Sequence, residues 1–239
     1  MLNPQIIVAL ELVKENDLFK IIDQLDPRQC RLKVGKALFT QYGPALIQQL
    51  QSRGFEIFLD LKFHDIPHTV AQAVIAAADC GVWMLTLHAG GGEAMLRAAV
   101  AALQGRERAP LLIAVTVLTS LQDSDLRPLG MVGTVSQQVD RLANLAQQSG
   151  MSGVVCSAQE AKQLKARLGD RFILVTPGIR PHNVAVQDQR RLMTPAQAVA
   201  NGADYLVIGR PITQAFDPAA ALQQIQQSIE PVPSLSASS

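Results

Sequence analysis

The stretch Phe58-Leu59-Asp60-Leu61-Lys62-Phe63-His64-Asp65-Ile66-Pro67 places charged residues in and just after one of the most apolar runs of the chain. Side chains along a β-strand alternate between its two faces, so Asp60 and Lys62 share one face and Leu59 and Leu61 the other. The apolar face is suited to packing on helices. Burying charges costs several kcal/mol per ion unless they are well paired, so the charged face needs an explanation.

Two explanations fit this array. It is either a structural ladder of ion pairs or a lysine poised for proton transfer, with Asp60 beside it on the strand and Asp65 just past the strand end. A Mg²⁺ site formed by the two carboxylates is disfavoured, because Lys62 between them would compete with the cation. No cluster of His and Cys has the spacing of a metal site either.

Composition limits the class of protein. The chain has 239 residues, 48% of them hydrophobic and 17% charged, which favours a buried core. A net charge of +1 gives no electrostatic case for nucleic acid or a membrane surface. Cys30, Cys80 and Cys156 have neither metal nor redox spacing, and no secretion signal or membrane span is evident. We therefore expect a soluble cytoplasmic protein with one domain over residues 1–230 and a disordered Pro- and Ser-rich tail over residues 231–239.

Short β-like runs alternate with helical patterns along the whole chain. The predicted strands are Ile6–Leu10, Arg31–Val34, Glu56–Lys62, Met84–His88, Leu111–Thr116, Gly153–Cys156, Phe172–Thr176 and Tyr205–Ile208. The predicted helices are Asn16–Leu25, Pro44–Arg53, His68–Asp79, Glu93–Gln104, Val135–Gln148, Ala158–Leu168, Pro195–Asn201 and Pro218–Ile229. Eight such units predict an α/β fold of the (β/α)8 TIM-barrel type, with an open doubly wound sheet as the alternative.

A barrel of this kind carries its chemistry at the C-terminal ends of its strands, and polar residues collect at these positions. They are Glu11, Lys33, Asp60, Lys62, His88, Thr119, Arg180, Gly209 and Arg210. Glu11 has the inward parity of Ile7 and Ala9 in the first strand. One such residue would mean little, but a set on most strands predicts a site at this end.

The last two strands predict an anion site. Loops after the seventh and eighth strands of barrels often bind phosphate. Gly209 would let the backbone approach a ligand, and Arg210 offers a planar set of donors matched to phosphate oxygens. The connection from Arg180 to Met193, which contains Asp188-Gln189-Arg190-Arg191, is longer than usual for α/β units and predicts a lid. Gly90–Gly92 lacks the spacing of a dinucleotide fingerprint.

Together these segments resemble the orotidine 5′-phosphate decarboxylase family, closest to its bacterial branch, up to about Ile229. The matching segments are Leu32-Lys33-Val34-Gly35-Lys36, Phe58 to Pro67, Ala114-Val115-Thr116-Val117-Leu118-Thr119-Ser120, Thr176-Pro177-Gly178-Ile179-Arg180 and Ile208-Gly209-Arg210. The resemblance implies a homodimeric barrel, without cofactor or metal, that converts orotidine 5′-monophosphate to UMP and CO₂ in de novo pyrimidine synthesis.

The resemblance also implies a role for each matching residue. Lys62 would protonate C6 of the pyrimidine beside Asp60, which would face the departing carboxylate. Asp65 and Thr69 would reach the partner subunit's site across the dimer interface. Lys33 would bind the ribose and the charged array, and Thr119 the edge of the pyrimidine. The phosphate would be held by Arg180, Gln189, Gly209 and Arg210.

Glu11 departs from the family pattern, which has Asp at the end of the first strand, where it contacts the ribose hydroxyls. The extra methylene keeps the charge but moves the carboxylate by about one C–C bond, and misplacement by about 1 Å can cost about 10²-fold in rate. Two alternatives stay open. One is a Mg²⁺-dependent sugar-phosphate decarboxylase or aldolase with the same array, and the other is a catalytically silent nucleotide-binding barrel.

Overall fold

Eight parallel strands close into a barrel in the computed structural model, which describes residues 5–11, 15–181 and 193–229. The strands are β1 Ile6–Leu10, β2 Arg31–Gly35, β3 Ile57–Phe63, β4 Met84–His88, β5 Leu111–Val115, β6 Gly153–Val155, β7 Ile173–Thr176 and β8 Tyr205–Ile208. Each strand pairs with its neighbour in sequence, and β8 closes on β1 with Val8 opposite Ile208. The predicted barrel is confirmed, and the open sheet was wrong.

Helices alternate with these strands and cover the outside of the barrel. They are α1 Glu15–Ile22, α2 Lys36–Gln51, α3 Pro67–Asp79, α4 Glu93–Ala101, α5 Asp123–Leu126, α6 Val135–Gln148, α7 Ala158–Leu168, α8 Pro195–Ala200, α9 Arg210–Thr213 and α10 Pro218–Ile229. Single 3₁₀ turns lie at Ala89–Gly91 and Arg127–Leu129.

Most predicted element ends are right to within about three residues, but two points differ. The predicted helix from Pro44 is present, but α2 also contains an unpredicted segment that begins at Lys36 and is separated from it by a kink at Gly43, where φ is 60°. Glycine adopts this left-handed conformation without the penalty of a side chain, and Pro44 then restarts the helix. The short helices α5 and α9 were not predicted. Each is only four residues long, too short for a helical period to show in the sequence.

Two apolar layers follow from the alternation of side chains along each strand. In β1, Ile6 and Val8 face the helices and belong to the large layer between barrel and helices. Ile7 and Ala9 face inward and belong to a smaller cluster inside the barrel. Residues on one strand thus serve either the outer packing or the barrel interior, and the next inward position after Ala9 is Glu11.

The N-terminal end of the barrel is closed by Arg31, which is only 5% exposed. Its guanidinium lies over the Trp83 ring, 3.9 Å from the ring centroid, and its Nη2 atom is 2.6 Å from Oε2 of Glu56. Tyr205 meets the Trp83 ring edge-on, with centroids 5.1 Å apart. Cation–π contact and charge pairing together satisfy this buried cation.

Candidate active site

A cavity of about 280 Å³ lies at the C-terminal end of the barrel. Its floor is apolar and formed by inward side chains of the strands, including Phe58, Val115, Val155, Val175 and Val207. Its walls contain most of the polar residues that the sequence predicts for the site: Glu11, Lys33, Asp60, Lys62, Thr119, Arg180, Gly209 and Arg210. One cavity therefore joins the charged array to the residues predicted to bind an anion.

Asp60 is the centre of the charged array. Lys62 Nζ donates to Asp60 Oδ1 at 2.7 Å, and Lys33 Nζ lies 3.4 Å from Oδ2. The Asp60 side chain is 13% exposed, Lys33 12% and Lys62 26%. Each carboxylate oxygen thus faces a different ammonium. Of the two lysines, Lys62 is the more exposed.

The pKa of Asp60 is lowered below its usual value by a balance of opposing effects. Burial raises it, but the charges of Lys33 and Lys62 lower it, as do the hydrogen bonds from Lys62 and Thr86. The favourable interactions outweigh the loss of hydration. Asp60 is therefore a carboxylate at neutral pH, and the array carries a fixed negative charge between two amines.

The backbone at Lys62 departs from regular strand geometry. Its φ of 54° makes it the only non-glycine residue with positive φ in the described part of the chain. For a side chain this region costs about 1 kcal/mol. Strain of this kind is found mainly at functional sites. The prediction that Asp60 and Lys62 lie together is thus confirmed, but by an irregular backbone rather than by simple alternation.

The irregularity is a shift in the pairing of β3 with β4. Leu59 pairs with Leu85, but Phe63 pairs with Leu87, so three residues of β3 lie opposite Thr86 alone. The Lys62 N–H donates to the Thr86 hydroxyl at 2.9 Å, and that hydroxyl donates to Asp60 Oδ1 at 3.0 Å. Sequence reasoning missed Thr86, although a hydroxyl at an inward position between two leucines was a signal.

The opposite end of the cavity is formed by the ends of β1, β7 and β8. A Cβ atom added to Gly209 would lie 3.5 Å from the Ala9 side chain and 3.9 Å from the Glu11 carboxyl carbon. The Glu11 carboxyl therefore lies beside Gly209, the residue before α9. Arg180 donates from Nη1 to the Ile179 carbonyl at 3.0 Å. This hydrogen bond holds the guanidinium close to the backbone at the rim of the cavity.

Asp65 and Thr69 are exposed and do not line the cavity of their own chain. Asp65 Oδ1 accepts a hydrogen bond of 2.7 Å from the backbone N–H of Ile66, whose side chain is 65% exposed. Gln189 and the rest of the predicted lid from 182 to 192 lie outside the described residues, as does the predicted tail.

Two histidines lie behind the array. The rings of His64 and His88 are 5.3 Å apart, and His88 continues the inward parity of Thr86. The pKa of His88 is lowered by burial first and then by the charges of His64, Lys62 and Lys36. His88 is therefore a neutral imidazole at neutral pH and adds no positive charge to the site.

The described residues contain neither a metal-binding cluster nor a membrane-spanning helix. No group of three or more His, Cys, Asp or Glu side chains there is arranged to hold a metal ion. Within the same ranges, no helix combines the length and hydropathy needed to cross a bilayer.

Comparison with known proteins matches this chain to one family and to relatives that align over nearly their whole length. A family model described as "Orotidine 5'-phosphate decarboxylase / HUMPS family" matches residues 4–225. The orotidine 5′-phosphate decarboxylase of Shewanella sediminis is 58% identical over 231 residues, which cover 96% of this chain and 98% of that protein. The enzyme of the same name from Saccharophagus degradans is 57% identical over 223 residues, covering 93% and 94%.

A solved structure agrees with the family match. The crystal structure of orotidine 5′-phosphate decarboxylase from Lactobacillus acidophilus is 40% identical and superposes with a TM-score of 0.85. The match covers 96% of this chain and 100% of that one. The sequence similarity and the fold similarity thus extend over the same, nearly complete length.

Proposed function

This chain belongs to the orotidine 5′-phosphate decarboxylase / HUMPS family, and we propose that it converts orotidine 5′-monophosphate to UMP and CO₂ in pyrimidine biosynthesis. One observation supports this most strongly: the Lys33–Asp60–Lys62 array and Arg210 line a single cavity. A nucleotide needs such a site, with a reactive group at its base and an anion-binding group at its phosphate.

The proposed decarboxylation has a very high activation barrier in water. When the bond between C6 and the carboxylate carbon breaks, its electron pair stays on C6 in an orbital in the plane of the ring. The ring cannot delocalise this pair, so the enzyme must lower the barrier by roughly 20 kcal/mol, near the upper range of catalysis. A pre-positioned positive charge at C6 is the most effective way to stabilise such an intermediate.

Lys62 supplies that charge and then the proton. Its Nζ atom is held 2.7 Å from Asp60 Oδ1, so it cannot swing away from the reacting carbon without losing this bond. CO₂ leaves, C6 takes a proton from Lys62 Nζ, and UMP results. No cofactor enters this scheme. Asp60 faces the substrate carboxylate. Lys33, whose Nζ atom lies 3.4 Å from Asp60 Oδ2, balances the charge of Asp60 and binds the ribose.

The remaining walls of the cavity hold the nucleotide in place. Glu11 binds the ribose hydroxyls and Thr119 the edge of the pyrimidine. Arg180, Gly209 and Arg210 bind the phosphate together with Gln189. Binding energy from the phosphate, far from the reacting bond, then contributes to catalysis at C6.

We propose further that the active unit is a homodimer and that Asp65 and Thr69 act in the partner subunit's site. This is supported by their exposure outside their own cavity and by the exposed Ile66 beside them. We place the enzyme in the cytoplasm, where Cys30, Cys80 and Cys156 remain thiols.

The decisive test is the loss of absorbance when orotidine 5′-monophosphate is added to the pure protein. We expect turnover by the wild type and a loss of at least about 10⁴-fold in kcat for Lys62→Ala, since both charge stabilisation and proton transfer are removed. Wild-type protein that binds UMP but leaves the substrate unchanged would identify a silent nucleotide-binding barrel. EDTA-sensitive activity on a ketose phosphate would instead identify the Mg²⁺-dependent enzyme.

The shared site has its own test. Lys62→Ala and Asp65→Ala homodimers should each be inactive. After mixing and subunit exchange, half of the dimers are hybrids, and each hybrid has one intact site. About a quarter of wild-type activity should therefore return. A mixture that stays inactive although exchange is shown by mass spectrometry would contradict the shared site.

A further inference from the structure

We propose that Thr86 is a positioning residue, which holds the left-handed backbone of Lys62 and the carboxylate of Asp60 in their working arrangement through one buried hydroxyl. The proposal rests on the proposed function, because it concerns the geometry of the same array. Thr86 does not line the cavity and so would act only through the two residues it contacts.

Thr86 compensates for an irregular stretch of backbone in β3. Because three residues of β3 lie opposite Thr86 alone, the Lys62 N–H has no regular partner in the ladder to β4. It donates to the Thr86 hydroxyl instead, at 2.9 Å. A buried N–H without a partner is costly. The hydroxyl therefore stabilises the φ of 54° that directs the Lys62 side chain back toward Asp60.

The same hydroxyl also orients the Asp60 carboxylate. Oδ1 of Asp60 accepts from both the Thr86 hydroxyl, at 3.0 Å, and Lys62 Nζ, at 2.7 Å. A hydroxyl has one proton, so accepting from the Lys62 N–H leaves that proton for Asp60. This second bond orients the carboxylate, and Oδ2 is then left facing Lys33.

The Thr86 hydroxyl is itself held in a fixed position by packing. Thr86 is fully buried, and its neighbours Leu85 and Leu87 pack in the outer apolar layer. Its strand partner on β5 is Ile113, a member of the cluster inside the barrel. Packing on all sides thus restrains the rotamer of a β-branched side chain that is already stiff.

The test compares Thr86→Val, Thr86→Ser and a matched control, Thr116→Val. Valine has the shape of threonine without the hydroxyl, and serine restores the hydroxyl. Thr116 is also a buried threonine, but its hydroxyl donates to the Val155 carbonyl at 2.9 Å and takes no part in the array. Thermal unfolding of each variant confirms that it is folded, and Thr86→Ala replaces the valine variant if that one does not fold.

We expect Thr86→Val to lower kcat by about 10- to 100-fold, as a small misplacement of reacting groups does. KM should change less than about threefold, because the phosphate-binding residues are untouched. The acid limb of the pH profile should move to higher pH, since a hydrogen bond to the charged form of Asp60 is lost. Thr86→Ser should restore kcat to within about threefold, and Thr116→Val should keep both kcat and the pH profile.

Three results would overturn the proposal: a valine variant with wild-type kcat and pH profile, a serine variant as slow as the valine variant, or an equal loss in Thr116→Val. If the wild type does not decarboxylate orotidine 5′-monophosphate, the proposed function is wrong. The positioning role is then decided by the ¹³C-detected titration of the Asp60 carboxyl. A shift to higher pH in Thr86→Val supports the role, and no shift overturns it.

Discussion

Arg31 and Lys33 lie two residues apart in β2, at inward positions of the barrel, yet they meet opposite surroundings. Arg31, at the N-terminal end, is 5% exposed and is enclosed by Trp83 and Glu56. Lys33, at the C-terminal end, is 12% exposed and lies at the edge of a cavity with Asp60. Both are largely covered cations paired with a carboxylate, so pairing alone does not distinguish a structural from a functional charge.

The difference lies in how completely each charge is surrounded. At the closed end, the Trp83 ring and the Glu56 carboxylate contact the guanidinium, and Arg31 does not line the cavity. At the open end, two amines share one carboxylate beside a cavity of about 280 Å³, and β3, which carries Asp60 and Lys62, is strained at Lys62. A buried charge array beside a cavity is therefore the better indicator of chemistry than a buried ion pair alone.

The sharpest test of this comparison exchanges one carboxylate for its amide at each end. Asp60→Asn should lower kcat by about 10³-fold, because it removes the charge between two amines. Glu56→Gln should leave kcat within about twofold but lower the free energy of unfolding by about 1 kcal/mol, since Arg31 loses its anionic partner. Steady-state kinetics and urea denaturation measure the two effects. A similar loss of kcat in both variants would erase the distinction between the two ends.

A second test concerns the arginines. Arg210→Ala should raise KM by about 10²-fold, since two charge-assisted hydrogen bonds to a phosphate are lost. Arg28→Ala is the control, because the Arg28 side chain is 88% exposed and pairs with Asp26, two residues away. It should leave KM unchanged. If Arg210→Ala keeps its KM, the phosphate does not bind at the end of β8.

A third test uses pH. The pKa of Asp60 is lowered in the folded state, despite burial, by Lys33 and Lys62. Its ionised form therefore stabilises the fold above the unfolded pKa of about 3.9, and this contribution is lost as pH falls toward the folded value. The stability difference between wild type and Asp60→Asn should be constant from pH 7 to 5 and then shrink, by up to about 1 kcal/mol per pH unit. Urea denaturation at pH 6, 5, 4 and 3 measures it, and a constant difference down to pH 3 would contradict the prediction.

The smallest expected effect is that of Glu11→Asp, which shortens the side chain beside Gly209. If the longer carboxylate is slightly misplaced for the ribose, kcat/KM should rise by about two- to fivefold. Glu93→Asp is the control, because Glu93 pairs with Arg97 on the surface of α4 and should have no kinetic effect. Unchanged kinetics in Glu11→Asp would show that the backbone already compensates for the extra methylene.

Much of the site was predictable because it depends on local periodicity. Strand parity places Asp60 and Lys33 inside the barrel, and the succession of polar strand ends predicts a common site. The first segment of α2, which begins at Lys36, was missed, because Gly43 and Pro44 mark a break in the helix and the prediction began only after it. Thr86 was missed because its partners, Lys62 and Asp60, are 24 and 26 residues away, and no local pattern records such a pairing.

The sequence by itself determined the alternation of strands and helices, the inward faces and the residue types of the charged array, because these depend on a side-chain period of two or 3.6 residues. Only the tertiary structure decided the closure of β8 on β1, the shifted pairing of β3 with β4 and the left-handed backbone of Lys62. It also decided that Asp65 lies outside its own cavity. These features depend on hydrogen bonds and packing between distant segments, whose geometry becomes defined only when the barrel is complete.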